Sequence, residues 1–462
     1  SAQAGDLDLG SIKDPLPDTL TYKGVTIFGT IDMSYAYQTN GRPNGAIVSN
    51  LEYTPFMPTR NYTGQSISTL TANALEQSKI GIKIEEEIGL GWTVIGKADT
   101  AFDPIRGEIS DGCFSFVQNA GKPYSQQNST ADSGMCGQAF NRSAYAGVSN
   151  AAYGTLTFGR QNTFQLDVLS TYDPMALSYA FSLPGYSGAF AGSGSTQAVR
   201  WDSSVKYVYQ YGPMHAGVMY SNGGDGTGMY GTGYGFNLGG AFKGFSLDAV
   251  YTKENSAVNL LSTFNDTPGG PLAAAISNNE AWSVTGKYTF DFSGGFKDEE
   301  PGAKLTFFGG YEHIDQSNSN DPVSHAAGGY AISPDNNYFT KDKILQFAWA
   351  GAKYELPSGW SFTGAYYHVD QGAFVSDNTK KCTAGGASAL QCAGTYDQGS
   401  FLVDYAINKH FDVYTGVTYA RVDDGLASGF QGTPNVKPGF GVSGTATSVD
   451  TTAVVTGMRL KF

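Results

Sequence analysis

The residues of this sequence that could do chemistry are basic side chains on the polar face of segments in which polar and apolar residues alternate. Lys79 and Lys83 alternate with apolar residues, so in an extended chain the two lysines share one face. Other charges stand in comparable positions: Lys97, Asp99, Arg142, Arg160 and Arg200. Each of these residues alone is explained equally well as a solvated surface charge. Their common alternation favours one charged face, whose local potential would sort ions without a binding pocket.

The elements that must position these charges are strands, because the hydrophobic period is two along nearly the whole chain. In the first segment one face contains Val25, Ile27 and Met33, and the opposite face contains Thr30 and Asp32. The pattern predicts sixteen strands, at about 22–39, 77–88, 91–103, 139–150, 152–160, 199–211, 214–222, 233–242, 245–254, 280–291, 303–315, 343–355, 359–370, 398–408, 410–423 and 447–462.

The connections between these strands are mostly short at one end and long at the other. The long ones are residues 40–76, 104–138, 161–198, 255–279, 316–342, 371–397 and 424–446. Short turns on one side and long loops on the other are typical of barrels that span a membrane. An even number of strands also lets the first strand pair with the last, which removes exposed sheet edges.

Periodicity alone does not say which face of the strands points inward, but barrel size does. A barrel of about sixteen strands is too wide for side chains to fill, and buried unpaired charges are costly. The polar face should therefore line a water-filled lumen while the apolar face contacts lipid. We predict an all-β transmembrane antiparallel barrel, one domain at residues 22–462, preceded by an irregular extension at residues 1–21.

Composition agrees with this class and excludes others. Charged residues make up 15% of the 462 residues, the mean hydropathy is −0.24, and no apolar run reaches the roughly 20 residues of a membrane helix. The net charge of −13 disfavours nucleic acid as a partner, because phosphates require a basic surface. The start of the chain fits an exported protein whose signal peptide has been removed, and it fits an engineered start as well.

The four cysteines form two local pairs by spacing, Cys113 with Cys136 and Cys382 with Cys392. Neither pair has the spacing of a metal site, and no histidine lies nearby to complete one. We interpret them as loop disulfides, which require an oxidising compartment. Four cysteines allow three connectivities, so the pairing is an inference from spacing.

The third long loop, at about 161–198, contains Asp167 and Asp173. If this loop folds into the lumen, its acids would lie opposite the lysines and arginines of the wall. The result would be a narrow slot with a transverse electric field, in which ions are sorted by local potential.

Several motifs in their order along the chain resemble the general diffusion porins of Gram-negative bacteria, the trimeric sixteen-stranded type. They are SKIGIK at 78–83, NRSAYAGV at 141–148, YGTLTFGRQ at 153–161, DVL at 167–169 followed by Asp173, YAINKHFDVY at 405–414, and the terminal Phe462. In this family Lys79 matches a constriction arginine, Arg142 a pore-wall arginine, and Phe462 the C-terminal assembly signal.

The resemblance implies an outer-membrane location, a homotrimer, and passive diffusion of small hydrophilic solutes and ions without a cofactor. It implies contacts with outer-membrane lipid and lipopolysaccharide. The constriction would comprise Lys79, Lys83, Arg142, Arg160, Arg200, Asp167 and Asp173, with Arg200 assigned by position. The chain departs from the enterobacterial branch at residues 175–177, where no acid follows Asp173. Fewer acids than bases favour anions at the constriction.

Three other functions remain open alternatives. A substrate-selective outer-membrane channel for sugars or small organic acids is the second hypothesis, because tyrosine and phenylalanine are abundant. An enzyme is disfavoured, because none of the five histidines stands in a GxSxG or HExxH frame. An adhesin or structural barrel would not conduct.

Overall fold

The protein folds into one closed antiparallel β-barrel with sixteen strand positions around its wall. We call each position a stave, because one position can be occupied by two short strands in succession. The structure, a computed structural model, describes residues 19–39, 66–105, 107–109, 138–183, 200–223, 231–260, 272–292, 302–318, 332–334, 342–372, 393–423 and 448–462. In this part of the chain no helix is long and apolar enough to cross a membrane.

Twenty strands and one short helix form the described structure. The strands are β1 Leu20–Tyr22, β2 Val25–Gln38, β3 Ile67–Ala72, β4 Lys79–Gly89, β5 Trp92–Asp103, β6 Glu108–Ile109, β7 Ser143–Asn150, β8 Gly154–Asn162, β9 Arg200–Tyr211, β10 Met214–Asn222, β11 Thr232–Phe242, β12 Phe245–Leu260, β13 Leu272–Asp291, β14 Lys304–Asn318, β15 Ile332–Pro334, β16 Lys343–Glu355, β17 Trp360–Gln371, β18 Gly394–Ala406, β19 Phe411–Asp423 and β20 Ser448–Lys461. The helix α1 spans Phe164–Tyr172.

The staves pair with their neighbours in chain order, and β2 pairs with β20 to close the barrel, from Thr30 opposite Lys461 to Gln38 opposite Ala453. Strands β3 and β4 together make the second stave, and β1, β6 and β15 are short additions. The prediction of a sixteen-stranded closed barrel is confirmed.

Phe462 lies at the closing seam of the barrel. The backbone N–H of Gly29 donates to the carbonyl of Phe462 at 2.9 Å, and the N–H of Phe462 donates to that of Gly29 at 3.1 Å. A Cβ at position 29 would stand 2.3 Å from the Phe462 ring, so the ring packs where only glycine leaves room.

The short turns suit the twist of the sheet. Lys243 (φ 48°) and Gly244 (φ 82°) join β11 to β12, and Leu90 (φ 53°) and Gly91 (φ 74°) join β4 to β5. Two successive positive φ angles give a two-residue hairpin turn that matches the right-handed twist of the strands.

The apolar face of the wall points outward and the polar face inward, as predicted. Val25 and Ile82 are exposed on the outer face, whereas Asp32 is fully buried and Thr30 nearly so on the inner face. Aromatic side chains are also exposed on the outer face near strand ends; among them are Tyr35, Tyr211, Phe242, Phe292 and Trp360. This distribution fits lipid outside and water inside.

The strands extend further than the alternation indicated at several places. Strand β3 and the first residues of β13 lie in segments predicted as loops, and β15 pairs in parallel with β13. The period-two signal is broken there, because residues 73–78 leave the sheet and residues 273–275 are three successive alanines. Residues 1–18 of the predicted N-terminal extension lie outside the described residues, whereas Leu20 and Thr21 belong to β1.

Candidate functional site

The segment of residues 163–183 lies inside the barrel and begins with helix α1. The side-chain oxygen of Thr163 accepts from the N–H of Leu166 at 3.3 Å, which caps the helix. Phe164, Val168 and Tyr172 then follow at four-residue spacing and are buried on one face of the helix. We call residues 163–183 the inward segment.

Helix α1 is fixed to the inner faces of three strands by buried polar groups. Gln165 donates to the Glu312 carboxylate of β14 at 2.6 Å and accepts from the Ser283 hydroxyl of β13 at 3.2 Å. The Tyr172 hydroxyl donates to Asp248 of β12 at 2.5 Å. These bonds satisfy groups that would otherwise be buried without partners.

The second half of the inward segment continues along the wall to the far side of the barrel. The Trp349 indole N–H of β16 donates to the Tyr172 carbonyl at 3.0 Å, and the Gln398 amide of β18 donates to the Phe181 carbonyl at 3.1 Å. The Ala180 N–H donates to the carbonyl of Ala74 at 2.8 Å. The inward segment therefore follows the inner wall from β8 to the second stave.

An apolar cluster inside the barrel supports this path. It contains Leu169, Met175 and Phe181 of the inward segment, packed with Phe347 and Trp349 of β16 among other buried residues. Burial of such side chains is the main source of packing free energy. The space between the inward segment and these strands is accordingly filled with packed side chains.

The two acids predicted for the loop have different positions. Asp167 reaches the wall, where it accepts from the Lys206 ammonium and, at 2.9 Å, from the Asn162 amide. Asp173 instead faces away from the basic wall: its carboxylate is buried and accepts from the Tyr367 hydroxyl at 2.5 Å and from the Leu177 N–H at 2.7 Å.

Asp173 is thus an anchor of the inward segment. Burial raises the pKa of Asp173 above its ordinary value, although the hydrogen bonds from Tyr367, Ser182 and the backbone act in the opposite direction. The predicted position of Asp173 opposite the wall arginines does not match the structure, because the helix that ends at Tyr172 directs the next residue into the packed side of the lumen.

The predicted basic residues come together on the inner face of neighbouring staves. Lys79 of β4 pairs with Glu76, and Arg142 donates through Nε to Asp99 of β5 at 2.9 Å. The Lys97 ammonium lies 3.6 Å from the same Asp99 carboxylate. Each of these three cations is only partly exposed.

Arg160 and Arg200 extend this group. Arg160 donates to the Asn141 carbonyl at 2.8 and 3.1 Å and to Asp202 at 2.7 Å. Arg142 and Arg160 lie close enough to Arg200 to act on it electrostatically. Within the described ranges no acceptor binds the buried Nε of Arg200, and no carboxylate lies at ion-pair distance from this guanidinium.

Lys83 stands apart from the others. Its ammonium pairs with Glu85 at 2.7 Å, and both side chains are about half exposed. It lies four residue pairs further along β4 toward the short-turn end than Lys79. We use the name cation wall for Lys79, Lys97, Arg142, Arg160, Arg200 and Lys206.

Several residues of this site were not singled out from the sequence. Lys206 lies between Val205 and Tyr207 in β9, and its polar side chain in an apolar run was the available signal. Glu76 and Gln77 lie in an interruption of the strand and carried no periodic signal. Helix α1 was also unpredicted, although its four-residue apolar spacing was present.

The four cysteines, Cys113, Cys136, Cys382 and Cys392, lie outside the described residues. Residues 184–198 of the predicted constriction loop do so as well. The disulfide prediction therefore stays a prediction.

A closed barrel with an apolar outer face, a polar inner face and a segment folded into the lumen defines a channel protein of the outer-membrane type. The family model for Gram-negative porins matches residues 1–425. The chain belongs to the Gram-negative porin family. It is an outer-membrane porin that forms a diffusion channel.

Solved structures share the fold at low sequence identity. An anion-selective porin from Comamonas acidovorans aligns with a TM-score of 0.58 and 16% identity over 95% of this chain and 99% of that chain. Outer-membrane expressed OmpT of Vibrio cholerae aligns with a TM-score of 0.55 and 13% identity over 96% and 100% of the two chains. A trimer form of the Vibrio cholerae protein aligns with a TM-score of 0.53 and 14% identity over 95% and 99%. No curated protein sequence matches the chain closely enough to indicate a relative.

Proposed function

We propose that the narrowest part of this channel lies between the cation wall and the inward segment, and that it favours anions. The observation that carries the proposal is the charge balance of the described residues there. Six cations of the wall face four carboxylates, those of Glu76, Asp99, Asp167 and Asp202. An excess of positive charge beside a narrow water-filled passage raises the local concentration of anions.

The surface of the inward segment that faces the passage adds little negative charge. Ser170, Thr171 and Ala176 are exposed there, whereas Asp173 is buried and Asp167 is neutralised by Lys206. The Comamonas acidovorans porin of the same fold is described as anion-selective. We therefore assign ion sorting to the potential of the cation wall, with Lys83 contributing from the mouth of the passage.

Passage is passive in this proposal and involves no catalysis. Two of the described histidines have structural contacts: the His215 ring lies 2.7 Å from the Asp248 carboxylate, which also binds Tyr172, and the His410 ring nitrogen lies 2.9 Å from the Lys461 carbonyl. These contacts stabilise the wall and present no activated nucleophile.

We further infer a homotrimer embedded in outer-membrane lipid and lipopolysaccharide. The exposed isoleucines of β4 and the exposed apolar side chains of β2 and β20 give an outer surface that suits lipid or a neighbouring subunit. The trimer form of the Vibrio cholerae protein has the same fold.

The proposal is tested by the reversal potential of the purified protein in a planar bilayer under a potassium chloride gradient. We expect a reversal potential with the sign of the chloride equilibrium potential, because the excess positive charge admits chloride more readily. A reversal potential with the sign of potassium would contradict the proposed anion preference.

The same recording separates this function from a substrate-selective channel. Small sugars and organic acids added at millimolar concentration should reduce the current only slightly. Saturable block by one of them would favour the substrate-selective alternative. The inner aromatic side chains Phe347, Trp349 and Tyr367 are buried beneath the inward segment and so form no exposed sugar path.

A further inference from the structure

The second stave of the barrel is interrupted by a bulge, residues 73–78, that projects into the lumen. Met33 of β2 pairs with Ala72, and Thr30 pairs with Lys79. Only two residues of β2 therefore stand opposite the six residues of the bulge. Asn73 begins it with a φ of 65°, a conformation that turns the chain out of the sheet.

The bulge is held in one shape by the buried carboxylate of Asp32. One oxygen of Asp32 accepts from the N–H groups of Leu75 at 2.7 Å and Glu76 at 2.6 Å, and the other accepts from the Tyr414 hydroxyl of β19. The backbone N–H of Asp32 in turn donates to the Ser78 hydroxyl oxygen at 3.0 Å. A backbone bound in this way holds its side chains at fixed positions.

The bulge also contacts the inward segment. Besides the bond from the Ala180 N–H to the Ala74 carbonyl at 2.8 Å, Ala74 and Leu75 belong to the apolar cluster that contains Phe181. Two elements folded inward from different parts of the chain thus meet beside the cation wall.

Two polar side chains of the bulge, those of Glu76 and Gln77, bind cations from three different staves. The Glu76 carboxylate pairs with Lys79 of β4 and, at 3.1 Å, with Arg459 of β20. The Gln77 side-chain oxygen accepts from the Arg142 guanidinium, which precedes β7. The Glu76 side chain remains partly exposed, so its charge acts on the passage as well as on its partners.

We propose that this bulge is a selectivity-determining element of the channel, in which Glu76 limits the anion preference and Gln77 positions Arg142. Glu76 supplies a negative charge at the place where Lys79 and Arg459 supply positive ones. Gln77 holds the Arg142 guanidinium without neutralising it. The proposal rests on the channel function proposed above and concerns how its charge balance is set.

Two substitutions of nearly unchanged size test the proposal in opposite directions. Glu76→Gln should raise the chloride-to-potassium permeability ratio by about two- to fivefold, because one negative charge beside the passage is lost. Gln77→Glu should lower that ratio by a similar factor, because it adds a negative charge next to Arg142. The readout is the reversal potential under a potassium chloride gradient.

The matched control is Glu355→Gln. Glu355 also faces the lumen and pairs with a lysine, Lys353, at 2.7 Å, but it lies on β16, away from the cation wall. It should change the ratio much less than Glu76→Gln. An unchanged ratio in Glu76→Gln, a shift of the same sign in both bulge variants, or an equal shift in the control would overturn the proposal.

These outcomes are distinct from a failure of the proposed anion preference. If the unmodified channel prefers potassium, the anion assignment fails, whereas the opposite shifts of the two bulge variants relative to it would still support the role of the bulge. A purely structural role would lower the yield of folded protein in both variants without producing shifts of opposite sign.

Discussion

The channel with Lys79→Gln and Arg142→Gln should lose its anion preference, with a chloride-to-potassium permeability ratio lower by about three- to tenfold. Lys79 and Arg142 each lie beside a carboxylate, that of Glu76 or Asp99. Loss of both cations leaves Glu76 with Arg459 and Asp99 with Lys97, and it removes the excess of six cations over four carboxylates, so the potential beside the passage becomes less positive. The shift appears as a displacement of the reversal potential toward that of potassium under a salt gradient.

The control for this variant removes the same two residue types elsewhere. Lys353→Gln with Arg421→Gln eliminates a lysine on the inner face of β16 and an arginine whose ion pair with Asp423 is exposed. This control should retain the selectivity of the unmodified channel. If the double substitution at Lys79 and Arg142 leaves the reversal potential where it was, the assignment of these residues to the constriction is wrong.

Trp349→Ala should release the inward segment and give a channel with larger and noisier conductance. The Trp349 ring is buried, its centroid lies 4.9 Å from that of Phe347, and its indole N–H holds the Tyr172 carbonyl. Truncation of a buried tryptophan costs about 3–5 kcal/mol, because it removes apolar contacts and leaves a cavity. Much of this lost packing free energy should destabilise the inward segment, because the closed sheet is held by backbone hydrogen bonds around the whole barrel.

Trp360→Ala is the control for this experiment, because Trp360 lies on the outer face and is 42% exposed. It removes the same side chain from the outside of the barrel and should leave single-channel conductance unchanged. Equal conductance in Trp349→Ala and the unmodified channel would show that the inward segment does not narrow the passage.

Most of the barrel could be predicted because strand alternation is a local property of the sequence. Each stave needs apolar residues toward lipid and polar residues toward water, so Val25, Asp32 and Ile82 reveal their faces without knowledge of their neighbours. The number of staves and the closing seam then follow from the alternation of short and long connections.

The interior of the lumen could be predicted only in part, because it depends on contacts between distant segments. The Asp173 carboxylate is held by a hydrogen bond from a tyrosine 194 positions away in the chain, and the Glu76 carboxylate binds an arginine 383 positions away. The local hydrophobic periodicity of the sequence does not indicate such pairs. Lys79 and Arg160 were found because they stand on regular strands, and Arg142 because it directly precedes one, whereas the bulge that binds two of these cations lies where the period breaks.

The central claim is that the barrel encloses a continuous water-filled passage narrowed by the inward segment and the cation wall. Single-channel recording of the purified protein at a series of potassium chloride concentrations tests it most directly. We expect discrete conductance steps that grow in proportion to the conductivity of the bulk solution, because ions cross in water without a saturable binding step. Absence of steps, or a conductance that saturates at low salt, would contradict the claim.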